Sequence, residues 1–152
     1  MIGISQVFSG SLHEVLPLSF FVATGDDNLD ILTIGSQDNP WDIVLSGEGP
    51  FVCYEHGYHD WSGAAFPDVT IELDPTKVID DSFRKGPPGS IILVGKEPRI
   101  RLLGNHGRTY TRPIYGSDQS QQGGFGVCFP RWQIVIGEGD NKQVLKTVDV
   151  SS

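Results

Sequence analysis

Short apolar runs broken every few residues by turn-forming clusters constrain this chain more than any other feature. Segments such as Leu16–Ala23, Leu29–Ile34, Phe51–Glu55, Arg99–Leu103 and Trp132–Ile136 are four to eight residues long and alternate or run apolar, as strands do. No window carries a sustained stripe of helical period. Glycine (19 residues) and proline (10) supply the punctuation, in clusters such as Gly47-Glu-Gly-Pro50, Lys85-Gly-Pro-Pro-Gly89 and Gly137-Glu-Gly-Asp-Asn141. The last cluster joins two strands, 132–136 and 144–150, into the clearest expected hairpin. The spacing predicts an all-β fold, an antiparallel β-sandwich or small β-barrel of about ten to twelve short strands with little helix. A parallel sheet is excluded because no helices are on hand for the crossovers. One helical turn is expected near Asp74–Phe83, with Asp74 capping and Pro75 in the first position. Residues 56–68 and 116–124 read as the two long loops, where function tends to sit on a rigid β scaffold.

With 152 residues, no repeat and no linker, the whole span 1–152 reads as a single β domain. No run approaches the ~20 apolar residues of a membrane span, and Met1–Gly10 has no basic-then-apolar leader pattern. A soluble cytoplasmic protein is the default expectation, or a secreted one if a signal has been trimmed.

Charge is segregated. Residues 1–76 hold twelve acids and no lysine or arginine, whereas all eleven basic residues follow from Lys77 onward with seven acids, so the halves carry −12 and +4. Either the halves pair across a sheet, or an acidic face awaits a basic protein partner or a divalent cation. Nucleic acid is excluded as a partner, since neutralising phosphates needs a clustered basic footprint. Arg99 and Arg101 alternate and so share one strand face, where they would clamp a carboxylate or phosphate, or pair with the acidic half.

Cys53 and Cys128, 75 positions apart, are expected as unbridged apolar thiols. The sequence holds no nucleophile elbow, no phosphate-binding loop and no Cys-x-x-Cys. Asp26-x-Asn28-x-Asp30 spaces oxygens like a calcium loop, but Ile31 and Gln37 stand where its glycine and glutamate belong, so a hairpin turn is the better reading. The stretch from Leu93-Val-Gly95 to Leu102-Leu-Gly-Asn105 resembles small galactose-type lectin sandwiches. Their calcium-binding segment has no counterpart here, and no kinship follows.

Functional side chains concentrate in Glu55-His-Gly-Tyr-His-Asp-Trp61. Glu55, His56, Tyr58, His59, Asp60 and Trp61 are the expected ligand-binding residues, because rings beside carboxylates and imidazoles suit sugars and other mixed polar–apolar ligands. The His56-x-x-His59 spacing suggests metal, but outside a helix it does not put both rings on one side, so no metal site is expected and no cofactor is named. A ligand-binding β module is the first expectation, with a small molecule or glycan as partner and carbohydrate the first choice. The alternatives are an acidic inhibitor or immunity-type protein, and a small β-barrel enzyme using the Glu55–Trp61 cluster. Of the three tryptophans, Trp132 reads as core, while Trp41 and Trp61 divide between core and ligand surface.

Overall fold

The computed structural model describes residues 8–24, 29–46, 50–59, 61–80, 86–116 and 126–151. Among them the chain is all-β: fourteen strands form three sheets with antiparallel pairing throughout, and only 3-10 turns supply helix. The first sheet runs in the order β1 (Phe8–Ser11), β6 (Ser62–Pro67), β2 (Ser19–Ala23), β3 (Asp30–Ser36), β4 (Asn39–Val44), β5 (Cys53–Glu55). The second is β11 (Thr109–Pro113), β10 (Glu97–Leu103), β9 (Ile91–Val94), β12 (Val127–Phe129), β8 (Ile79–Asp80). The third is β14 (Gln143–Asp149), β13 (Arg131–Ile136), β7 (Thr70–Leu73). No described helix is long and apolar enough to cross a membrane.

Alternation along each strand gives every sheet an inner and an outer side. Phe20, Leu32, Ile43 and Cys53 lie in one cross-strand row of the first sheet and face inward. They join Ile100 and Leu102 of the second sheet and Trp132, Ile134 and Val148 of the third in one buried cluster. Trp132 is fully buried at its centre, its indole N–H donating to the Gly89 carbonyl at 2.7 Å, as expected of a core tryptophan. The outer side of the first sheet carries a second, smaller core of Leu12, Val15, Phe21, Ala23, Ile31 and Ala65, against which Trp61 packs.

Two local expectations hold in detail. The Trp132 hairpin forms as β13 paired with β14, with a register shift at Ile134/Val135. Asp74 caps the 3-10 turn Pro75–Lys77, accepting from the Thr76 backbone N–H at 2.9 Å. Its carboxyl is held below the ordinary range, first by the Thr76 hydroxyl and N–H and then by Arg131. β2 and β3 pair as the hairpin expected around Asp30; its turn, 25–28, lies outside the described residues, as does the loop Ser117–Gly124.

One expectation fails. Residues 56–68 are not a single long loop, because Ser62–Pro67 form β6, paired on both sides between β1 and β2. The segment is Ser-Gly-Ala-Ala-Phe-Pro, too small and too weakly β-forming to stand out. Small size is what the position requires, since a Cβ on Gly63 would fall on the Val22 carbonyl oxygen.

The segregated charges meet. Asp30 pairs with Lys146 at 2.8 Å, Glu72 with Lys142 at 3.0 Å and Asp74 with Arg131 at 3.1 Å, each an acid of the first half with a base of the second. β7 of the first half also pairs with β13 of the second. The alternate arginines of β10 share a face, and both are buried: Arg99 bonds Thr111 and Glu97, and Arg101 bonds Thr109.

Candidate functional site

The site is built on the outer side of the first sheet, at its β5 edge. One cross-strand row there is polar: Ser19, Thr33, Asp42 and Tyr54 are register partners on β2, β3, β4 and β5. Ser19, Thr33 and Asp42 are each no more than 3% exposed. A carboxylate this deep needs partners. The Thr33 hydroxyl donates to Asp42 Oδ1 at 2.7 Å, and His56 Nδ1 lies 3.0 Å from both Asp42 oxygens. The Thr33–Asp42–His56 relay therefore ties the segment after β5 down onto the sheet. It also fixes the imidazole, with Nδ1 facing the carboxylate.

Beyond His56 the chain turns at Gly57, and the Tyr58 N–H donates to the Glu55 carbonyl at 3.0 Å. Four rings then come together. Tyr58 stacks on Tyr54 with centroids 5.5 Å apart, and His59 meets both edge-on at 4.7 and 4.8 Å. His59 in turn stacks on Trp61 at 4.1 Å. The cluster is anchored at its Trp61 end, where that ring packs on the outer core and the Trp61 carbonyl accepts from the Leu12 N–H at 2.8 Å. At its other end Tyr58 is 72% exposed, an amphipathic ring lying open to solvent on a rigid support.

Five of the six expected site residues can thus be placed. Tyr58, His59 and Trp61 form one ring cluster, Glu55 is exposed at the end of β5, and His56 is drawn inward to Asp42. Asp60 lies outside the described residues. The histidines of the His-x-x-His spacing go separate ways, one to a carboxylate and one into a ring stack. Among the described residues no three histidine, cysteine, aspartate or glutamate side chains converge as metal ligands. Sequence reasoning missed Thr33, Asp42 and Tyr54. The available signal was Asp42 itself, a charge between Trp41 and Ile43 inside a strand pattern, which needs a partner if the strand is covered.

The inner side of the same edge has different chemistry. Trp41, the register partner of Glu55, packs against the main core, and the Arg112 guanidinium carbon sits 3.5 Å above its ring. Cys53 faces this region rather than His56. Burial above all pushes its thiol up to about 12, against the opposing pull of Arg112. A thiol–imidazole nucleophile at Cys53 and His56 is therefore absent. Both cysteines are thiols, not a disulfide. Since the thiolate is the reactive form, native protein at pH 8 should take up a thiol reagent slowly at Cys53, and denatured protein should titrate two thiols at once. Rapid native reaction of Cys53 would contradict this placement.

The Asp42 relay also carries a stability prediction. Asp42→Ala leaves the Thr33 hydroxyl and His56 Nδ1–H without their acceptor on a covered sheet face, costing about 2–4 kcal/mol in chemical denaturation. An unaltered midpoint would show that His56 is not tied to the sheet.

A cleft of about 540 Å³ opens among other strands, between Lys77–Ile79, Pro87, Pro130 and Val150–Ser151. Among the described residues its lining has one cation and one hydroxyl side chain and no carboxylate or imidazole, so these residues do not converge polar groups as a specific site does.

Fold and site together define an all-β protein with an aromatic cluster mounted on a covered sheet face. Residues 9–152 match the sequence profile of the family described as "Uncharacterised protein y4lG", and the chain belongs to that family. A curated relative from Sinorhizobium fredii (strain NBRC 101917 / NGR234), "Uncharacterized protein y4lG", is 31% identical over 147 residues, spanning 95% of this chain and 91% of its own length. No solved structure matches the chain at a significant level.

Proposed function

We propose that the protein is a ligand-binding β module whose ligand, a carbohydrate by first choice, rests on the Tyr54–Tyr58–His59–Trp61 cluster. The observation that carries this reading is the 72% exposure of Tyr58 on top of a ring stack that is anchored at its far end. An aromatic face offered to solvent covers the C–H face of a sugar, while neighbouring polar groups take its hydroxyls. His56 supplies the imidazole on the same side, whereas exposed Glu55 begins this turn from the Trp41 row on the other side of the sheet. Support from the sheet through Asp42 and Thr33 lowers the ordering cost of binding. A glycan array on the intact protein, followed by titration calorimetry of the best hit, tests the reading. Tyr58→Ala should weaken that hit at least tenfold and shift the melting temperature by less than about 2 °C, because an exposed ring contributes little to folding. Equal binding by the variant moves the site away from the cluster.

A second reading, acid–base chemistry at His56, draws support from the buried Asp42 that orients it, since an imidazole held by a carboxylate is the usual base-and-orienter pair. Turnover lost in His56→Gln but kept in Tyr58→Ala would favour it. A basic protein partner draws less support, because Asp30, Glu72 and Asp74 already have internal cations.

A further inference from the structure

At its β5 edge the first sheet has one more outer row, and this row ends on a second exposed tyrosine. Gly35 pairs with Pro40 across β3 and β4, and the Pro40 carbonyl accepts from the His56 N–H at 3.3 Å. On its other side Gly35 makes a parallel bridge to Tyr115, and the Gly35 N–H donates to the Ile114 carbonyl at 2.9 Å. Tyr115, Gly35, Pro40 and His56 are thus consecutive neighbours in one row; Pro40 and His56 lie two residues along from Asp42 and Tyr54 and so on the same outer side, and Tyr115 follows Ile114, which is buried in the main core on the inner side. Tyr115 is 54% exposed, and burial of the rest of the ring raises its phenol above the ordinary value.

Between Tyr115 and the His56–Tyr58 turn the row is low. Gly35 has no side chain and could not carry one, since a Cβ there would sit 2.7 Å from the Asn39 carbonyl oxygen at φ +96. Pro40 presents only its ring. Three strand spacings separate the Tyr115 and His56 backbones, roughly 14 Å. Exposed Asp38 and Asn39 of the β3–β4 turn edge this floor. One pyranose ring cannot touch both ends of such a row.

Resting on the carbohydrate reading above, we infer that Tyr115 is a second aromatic subsite and that the ligand is an extended glycan of about three units, lying from Tyr58 across Gly35 and Pro40. The two tyrosines act as the ends of a shallow track, and the turn polar groups meet hydroxyls along it.

The experiment uses the intact protein and three defined series, β-1,4-glucose, β-1,4-N-acetylglucosamine and α-1,4-glucose oligomers of one to six units, titrated by calorimetry. In the series that binds, affinity should climb at least tenfold from one unit to three and then level off. Tyr115→Ala should erase this climb, so that the trimer binds no better than the single sugar, and Tyr115→Phe should restore it. Tyr58→Ala should weaken every length. Affinity independent of length, or a length dependence that Tyr115→Ala leaves intact, overturns the second subsite while the Tyr58 reading stands. Failure of all three series to bind overturns the extended-glycan proposal, and the glycan array then decides the Tyr58 reading separately. Matching circular dichroism spectra of the variants exclude misfolding as the cause.

Discussion

Gly63→Ala should cost about 3–5 kcal/mol, the largest effect expected of a single added methyl group among the described glycines. Gly63 sits in β6, an interior strand of the first sheet that pairs with β2 and β1 at once. A Cβ there lands on the Val22 carbonyl oxygen, with the Ala23 Cα only 2.9 Å away. Both obstacles are backbone, so no rotamer change relieves them and the two strands must part. The loss reaches further than the pair, because Phe21 and Ala65 of these strands build the outer core on which Trp61 rests. A melting temperature lowered by about 10 °C or more is the expected readout for a chain of this size. A change of less than about 1 kcal/mol would mean that β2 and β6 are not paired in this register.

Gly89→Ala should be nearly as costly, at about 3 kcal/mol, for a different reason. Gly89 has φ +95, where a side chain is strained, and its Cβ would stand 2.5–2.7 Å from atoms of the buried Phe51 ring. Gly89 and Ser90 form a bulge opposite Arg101, the Gly89 N–H donating to the Arg101 carbonyl and the Arg101 N–H to that of Ser90, at 2.8 and 2.9 Å. The bulge delivers the Gly89 carbonyl to the Trp132 indole in the main core. Shifting it breaks that bond as well as the Phe51 packing. Denaturant titration should show a lower midpoint with the slope retained; an unchanged midpoint would place Phe51 elsewhere.

These two glycines mark what was legible in the sequence. Hairpins joined by short polar turns could be read, because both strands and the turn lie within a few residues: β13–β14 and β2–β3 are examples. The Asp74-Pro75 turn was legible for the same reason. β6 was not, because a strand chosen for close backbone approach lacks the bulky alternation by which strands are recognised. The functional side showed the same division. Tyr58, His59 and Trp61 are near neighbours in sequence, so their clustering was visible. What holds them was not, since Thr33 meets Asp42, and Asp42 meets His56 14 positions on, only once the registers of β3, β4 and β5 are set. Tyr115 lies further still, brought in by one bridge to Gly35. The charge asymmetry was plain in the sequence, but its pairing across the halves depended on side-chain placement.

Backbone amide chemical-shift mapping of the isotopically labelled protein, titrated with the strongest glycan from the array, locates the bound ligand. Saturable shifts should concentrate at residues 54–61, with the 35–40 turn and Tyr115 shifting as the glycan lengthens and little change around the Lys77–Val150 cleft. Shifts centred on that cleft, or no saturable shift with any glycan, would contradict this placement.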